Sequence, residues 1–175
     1  DTTADMTWAL LLGAARRVTQ SERWMRAGNW SSLQFRNALG QDVHHTTLGV
    51  LGMGRIGRAV ARRARGFDMQ VIYHNRNRLD ADLERECNAQ FVDFDELLAR
   101  SDFLSLNLPY SASSHHLIGV DELAQMKTSA IIVNAARGGI IDDAALVAAL
   151  KSGAIAGAGL DVFEGEPAFH RGFLE

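Results

Sequence analysis

Leu48-Gly49-Val50-Leu51-Gly52-Met53-Gly54-Arg55-Ile56-Gly57 is a short apolar run that passes into Gly-x-Gly-x-x-Gly and then into the helix-forming residues 55–65. Each glycine has its own steric task in such a setting. Gly52 permits the tight turn, Gly54 lets a pyrophosphate approach the main chain, and Gly57 lets the helix pack close to the strand, while the free amides of the helix start face the anion. The motif points to a dinucleotide, and the apolar run 70–73 supplies the second strand of the unit. A P-loop would need Lys and then Ser or Thr after the last glycine; Arg58 and Ala59 stand there, which argues against nucleoside triphosphate hydrolysis.

Outward from this turn, short apolar runs alternate with helical stretches. Strands are expected at 47–51, 70–73, 103–108, 130–134 and 156–162, with a weak one at 90–92. Helices are expected at 55–65, 79–87, 94–99, 121–126 and 143–150. Taking turns in this way, they predict an α/β fold, a doubly wound parallel sheet covered on both faces, whose function sits at the strand carboxyl ends. Upstream, residues 5–27 read as one long helix with Met6, Leu10 and Ala14 on its buried face, and 28–43 as an extended arm carrying Trp30, Leu33 and Phe35. The expected organisation is a single dinucleotide-binding domain over 1–175: helix and arm to 45, core and catalytic loops over 46–167, and a short tail over 168–175.

Composition narrows the class of partner. A chain of 175 residues with 47% hydrophobic and 22% charged side chains can bury a core without staples. Its 18 basic and 21 acidic residues, for a net charge of -3, give no whole-molecule attraction for nucleic acid or anionic lipid, so a small molecule is the expected partner. No apolar stretch approaches the roughly 20 residues of a membrane span. The lone Cys87 cannot form an intrachain disulfide, and a cytoplasmic location is expected. Without an initiator Met, the chain reads as an internal piece of a longer protein.

Candidate chemistry gathers at the ends of the strands. After the second strand comes His74-Asn75-Arg76-Asn77-Arg78, where an NAD site usually places a carboxylate on the ribose hydroxyls and none stands here. Asn75 can bond the ribose, and Arg76 with Arg78 can pair with a 2′-phosphate through their planar forks. NADP(H) is therefore expected ahead of NAD(H), the bland alternative being two solvated arginines. The buried-type run 130–134 ends at Arg137, which either clamps a substrate carboxylate or forms a structural ion pair. Asp161 and Glu166 follow the last strand and are expected in the same crevice.

Blander readings serve elsewhere. Arg55, Arg58, Arg62 and Arg65 lie at helical spacing and read as a solvated face. His44-His45 and His115-His116 are adjacent pairs; on a strand the rings would point to opposite faces, and no metal site is expected. Ser113 and Ser114 read as a turn, and Asp142 with Asp143 as caps of the helix that follows.

Taken together, these segments resemble the D-isomer-specific 2-hydroxyacid dehydrogenases, in particular the glyoxylate and hydroxypyruvate reductase branch. The resemblance runs through the opening helix, the Gly52–Gly57 fingerprint, the Asn-x-x-Arg-Gly of 134–138 and the Gly-Leu-Asp-Val-Phe-x-x-Glu-Pro of 159–167. It implies a Rossmann-type fold and hydride transfer between a nicotinamide and a small 2-keto or 2-hydroxy acid. Arg137 would then bind the keto acid, and Glu166 would support a catalytic histidine. Cofactor contacts are implied at Gly52, Gly54, Arg55, Ile56 and Gly57, at Asn75 and Arg76, at Asn107-Leu108-Pro109, at Ala135 and Ala136, and at Asp161. The family's histidine lies downstream in a Pro-His-x-Gly context, and His170, just past Glu166, is too early to take that role. The expectation is a cofactor-binding piece that lacks the substrate domain, turns over poorly alone, and pairs as a homodimer through residues 5–40. The alternative function is an NAD(P)-sensing interaction protein of the corepressor type.

Overall fold

The computed structural model describes residues 1–29 and 39–174. Six strands, β1 (Thr47–Leu51), β2 (Gln70–His74), β3 (Ala89–Phe91), β4 (Phe103–Leu106), β5 (Ile131–Asn134) and β6 (Gly157–Leu160), form one sheet in the order β3-β2-β1-β4-β5-β6. Every neighbouring pair is parallel. The chain winds outward from β1 in one direction and then from β4 in the other, so the point of reversal lies between β1 and β4. A crevice opens beyond the carboxyl ends of strands at such a point.

Alternate residues of each strand serve opposite faces, as the pleat requires. Val71, Tyr73, Phe103, Ile131 and Val133 enter one core with α3 (Arg55–Ala64). Ile72, Leu104, Leu106 and Ile132 enter the other, beneath α5 (Phe94–Arg100), α6 (Val120–Gln125) and α7 (Asp143–Ser152). The remaining crossover is α4 (Ala81–Cys87), between β2 and β3.

The opening segment departs from its expected form in two ways. It is two helices, α1 (Thr2–Ala15) and α2 (Val18–Arg26), hinged at Arg17, whose φ of 53° is left-handed. The returning chain is the cause: the Gln41 amide donates to the Ala15 carbonyl at 2.9 Å, taking the acceptor that a continuing helix would use. Gly40 is needed there because a Cβ would stand 2.2 Å from that same oxygen. The buried face is also rotated, to Ala4, Thr7, Trp8, Leu11 and Ala15, which leaves Met6 exposed. Trp8 sets the rotation: its indole N–H donates to the Val60 carbonyl at 3.1 Å and its ring stacks on Phe67 at 4.8 Å. Trp30, Leu33 and Phe35 of the expected arm lie outside the described residues.

Candidate cofactor and substrate cleft

The turn after β1 has the shape its glycines require. Gly52 has φ of +95° and donates its amide to the His74 carbonyl at 3.1 Å. A Cβ on Gly57 would lie 2.2 Å from the Gly52 carbonyl oxygen, so helix and turn touch through main chain alone. Over Gly54, by contrast, nothing lies within 4 Å of where a Cβ would be, and this residue N-caps α3 with no side-chain bond to the helix amides. An open approach to uncapped amides is what a pyrophosphate needs. Arg55 begins the helix exposed, and Ile56 beside it reaches the cleft described below.

Asn75 closes the turn from the neighbouring strand, its Oδ1 accepting from the Met53 amide at 2.7 Å. The two arginines that follow are not equivalent. Arg78 forms a fork with Glu84, Nε to Oε1 and Nη2 to Oε2 both at 2.9 Å, while the Tyr73 hydroxyl donates to Oε1 at 2.6 Å. The Arg78 bonds, and then the Tyr73 bond, hold the Glu84 carboxyl below its ordinary range. Burial, aided by Glu84, pushes the Tyr73 phenol up to about 12. Arg78 is thus committed to the fold, which corrects its expected share in a phosphate pocket. Arg76 is exposed and has no ion pair or hydrogen bond among the described residues.

At the carboxyl ends of β4, β5 and β6 lies a cleft of about 780 Å³, within the 300–1,000 Å³ typical of small-molecule sites. Among its lining residues are Ile56, Asn107, Leu108, Pro109, Ala135, Ala136, Arg137 and Asp161. Buried Asn134 shapes one wall: its Oδ1 accepts from the Ala136 amide at 3.0 Å and its Nδ2 donates to the Arg137 carbonyl at 2.9 Å. The Arg137 guanidinium is exposed, and its only hydrogen bond among the described residues is to the Ala136 carbonyl, at 2.6 Å. The structural ion pair weighed for it is not formed among these residues. The loop after β6 packs against this wall, since a Cβ on Gly138 would meet the Phe163 carbonyl at 1.9 Å.

Glu166 is not brought to the lining; it turns back, its Oε1 accepting from the Phe163 amide at 2.6 Å. Thr2, Thr3, Met6, Tyr110 and Val162 also line the cleft, and sequence reasoning missed them. Only the rotation of α1 aims Met6 there, whereas Tyr110 was open to inference from its place beside Pro109.

Other side groups refine the bland readings. Asp142 caps α7, accepting from the amides of Ala144 and Ala145 at 2.9 and 3.1 Å. Asp143 is buried and accepts from the Glu164 amide at 3.1 Å, tying down the loop after β6; desolvation pushes its carboxyl up. The arginine stripe of α3 is not simply solvated: Arg62 pairs with Glu86 at 3.2 Å, Arg65 bonds the Glu86 carbonyl, and Arg58 Nε is shielded with no hydrogen-bond partner among the described residues. His115 and His116 lie on a turn, not a strand, with φ of 50° at His116, so their rings stack at 3.8 Å instead of diverging. No helix among the described residues is long and apolar enough to cross a membrane.

Comparison with known proteins gives the family and the fold. Residues 8–174 match the family model for the D-isomer specific 2-hydroxyacid dehydrogenase, NAD binding domain. A glyoxylate reductase of Korarchaeum cryptofilum is 49% identical over 168 residues, covering 95% of this chain and 50% of that one. A glyoxylate/hydroxypyruvate reductase B of Pectobacterium carotovorum is 51% identical over 168 residues, covering 95% and 52%. The crystal structure of a glyoxylate reductase from Paecilomyes thermophila superposes with a TM-score of 0.90 at 52% identity, over 99% of this chain and 51% of that one. The chain spans about half the length of the curated relatives it matches.

Proposed function

Because the chain belongs to the D-isomer specific 2-hydroxyacid dehydrogenase family, as its NAD-binding domain, we propose that it is the cofactor half of an enzyme reducing a small 2-keto acid, of the glyoxylate or hydroxypyruvate type, to the D-2-hydroxy acid. The unpaired Arg137 carries this reading. A guanidinium left exposed at the end of a buried strand, in a cleft of ligand size, is free to grip a carboxylate through both arms of its fork. It also stabilises the charge that develops on the keto oxygen as the carbonyl is reduced. This favours an enzyme over the cofactor-sensing alternative, which needs no such clamp.

The residues fit a dinucleotide. The open main chain over Gly54 and the uncapped start of α3 would hold the pyrophosphate, Asn75 would meet the ribose, and Asn107, Leu108, Pro109, Ala135, Ala136 and Asp161 would line the nicotinamide end. When bound, the nicotinamide supplies the hydride. Arg76, free of a protein partner, is the group we assign to a 2′-phosphate, which makes NADP(H) the preferred cofactor over NAD(H). Arg137 serves as a hydrogen-bond donor and charge partner, and the proton for the product hydroxyl is assigned to a residue elsewhere in the whole protein. Glu166, which in this structure accepts from the Phe163 amide, is the residue we assign to supporting that proton donor. The exposed Val18, Met25 and Leu39 supply an apolar surface for a homodimer through residues 5–40, testable by light scattering at micromolar concentration.

The whole protein carrying this chain, given NADPH and either glyoxylate or hydroxypyruvate, should consume the cofactor. Arg137→Ala should lower kcat/KM by about 100- to 1,000-fold, with little change in NADPH affinity. Absence of turnover with both compounds and with simple 2-keto acids would sink the proposal.

A further inference from the structure

Beside the cleft, the turn at 115–116 and the loop after β6 bring two imidazoles and a carboxylate together. One ring nitrogen of His115, one of His116 and one oxygen of Glu164 lie within 4.8 Å of one another. His116 Nε2 stands 2.8 Å from Glu164 Oε2, and the two rings stack at 3.8 Å with 24° between their planes. A Cβ on Gly139 would be 3.7 Å from both His115 Nδ1 and Glu164 Oε1 and 3.0 Å from Tyr110 Cε2, which puts the Tyr110 ring in the same corner.

We propose that His115, His116 and Glu164 form a binding site for a divalent cation of the zinc class. Two imidazoles and one carboxylate are a borderline-soft donor set that suits Zn²⁺, Co²⁺ or Ni²⁺, whereas Mg²⁺ and Ca²⁺ require oxygen donors. Bonds of about 2.0–2.1 Å in tetrahedral geometry place donors about 3.3 Å apart. The side chains are partly exposed, and binding requires the stacked rings to rotate so that one nitrogen of each points at the ion. Asp142 Oδ2 lies 3.9 Å from His116 Nδ1, beyond hydrogen-bond range but near enough to act on the ring as a charge, and the Tyr110 hydroxyl lies 3.1 Å from His115 Nδ1. Asp142 and the buried Asp143 add negative potential around Glu164. Three protein ligands leave the fourth position to water, and the bound ion ties the turn at 115–116 to the loop after β6. Tyr110 lines the cleft, so the ion also fixes part of its wall.

The competing reading is a plain His116–Glu164 ion pair, and zinc titration separates the two. Calorimetry of Zn²⁺ into chelator-stripped protein should give one ion per chain, unaffected by excess Mg²⁺, and Co²⁺ should give the strong visible absorption of a four-coordinate site. His116→Gln and Glu164→Gln should each weaken binding at least about tenfold. His44→Gln with His45→Gln, which removes the other histidine pair, should leave it unchanged. A circular dichroism melt without metal checks each variant for folding; if His116→Gln does not fold, His115→Gln gives the same readout from a ring outside the ion pair. The proposal is overturned if the wild type takes up no zinc, if the site variants bind as well as it does, or if binding disappears with His44 and His45.

Discussion

Two neighbouring strand-to-helix turns, the one after β1 and the one after β2, stand side by side at the carboxyl edge of the sheet and are built on opposite principles. The first is made of main chain: Gly52, Gly54 and Gly57 contribute no side chain, and its close approaches are backbone on backbone. The second is made of side chains: Asn75 on the Met53 amide, then Arg78, Glu84 and Tyr73 in one bonded group. A turn of the first kind has a single solution, because nothing in it can rotate out of the way. A turn of the second kind holds its shape with some of its charges and leaves others without a partner among the described residues. The difference separates Arg78 from Arg76.

The hardest blow to the first turn is Gly57→Ala. Its new Cβ would be forced onto the Gly52 carbonyl, and we expect a loss of about 3 kcal/mol in urea unfolding, together with loss of cofactor binding. A variant as stable as the wild type would show that the turn can flex and would break the comparison. Next is Asn75→Ala, which leaves the Met53 amide without its acceptor and should cost about 2 kcal/mol by the same measurement. An effect below about 0.5 kcal/mol would mean that the two turns are independent.

Within the second turn, Arg76→Ala should weaken NADPH binding by about tenfold, or 1.4 kcal/mol, with NADH binding unchanged. Arg78→Ala should shift the NADPH to NADH ratio by less than about twofold. Equal effects of the two variants in tryptophan-quenching titrations would erase the division of labour. The smallest effect concerns Glu84, whose carboxyl is held below its ordinary range by Arg78 and Tyr73. A folded value below the unfolded one adds stability above the unfolded value and loses it as the pH falls through the folded one. Wild type should therefore exceed Glu84→Gln in melting temperature at neutral pH, and the gap should close below about pH 4. A gap constant from pH 3 to 7 would show that the ionised carboxylate contributes nothing.

Much of the fold was legible because its determinants are local. Strand and helix alternate in composition, and all six strands formed where apolar runs stood. The first turn was equally legible, since steric freedom belongs to a glycine wherever the rest of the chain goes. The opening helix was misread because its buried face is chosen by a distant partner: Trp8 seeks the Val60 carbonyl and Phe67, and no periodicity in residues 1–15 contains that fact. The break at Arg17 has the same origin, in a hydrogen bond from Gln41.

Which residue types stand at the strand ends was legible before any fold was known: the glycines, Asn75, Arg76, Asn107 to Pro109, Ala135 to Arg137, and Asp161. Which of the charged ones find partners became visible once the sheet was packed. Arg78 is paired with Glu84, Glu166 turns back on Phe163, Arg137 and Arg76 have no ion pair among the described residues, and His115, His116 and Glu164 converge from two distant loops. The physical reason is the range of the forces involved. Backbone conformation is settled by atoms a few bonds apart, whereas an ion pair or a ligand set depends on which surfaces the packed sheet brings within about 4 Å of each other.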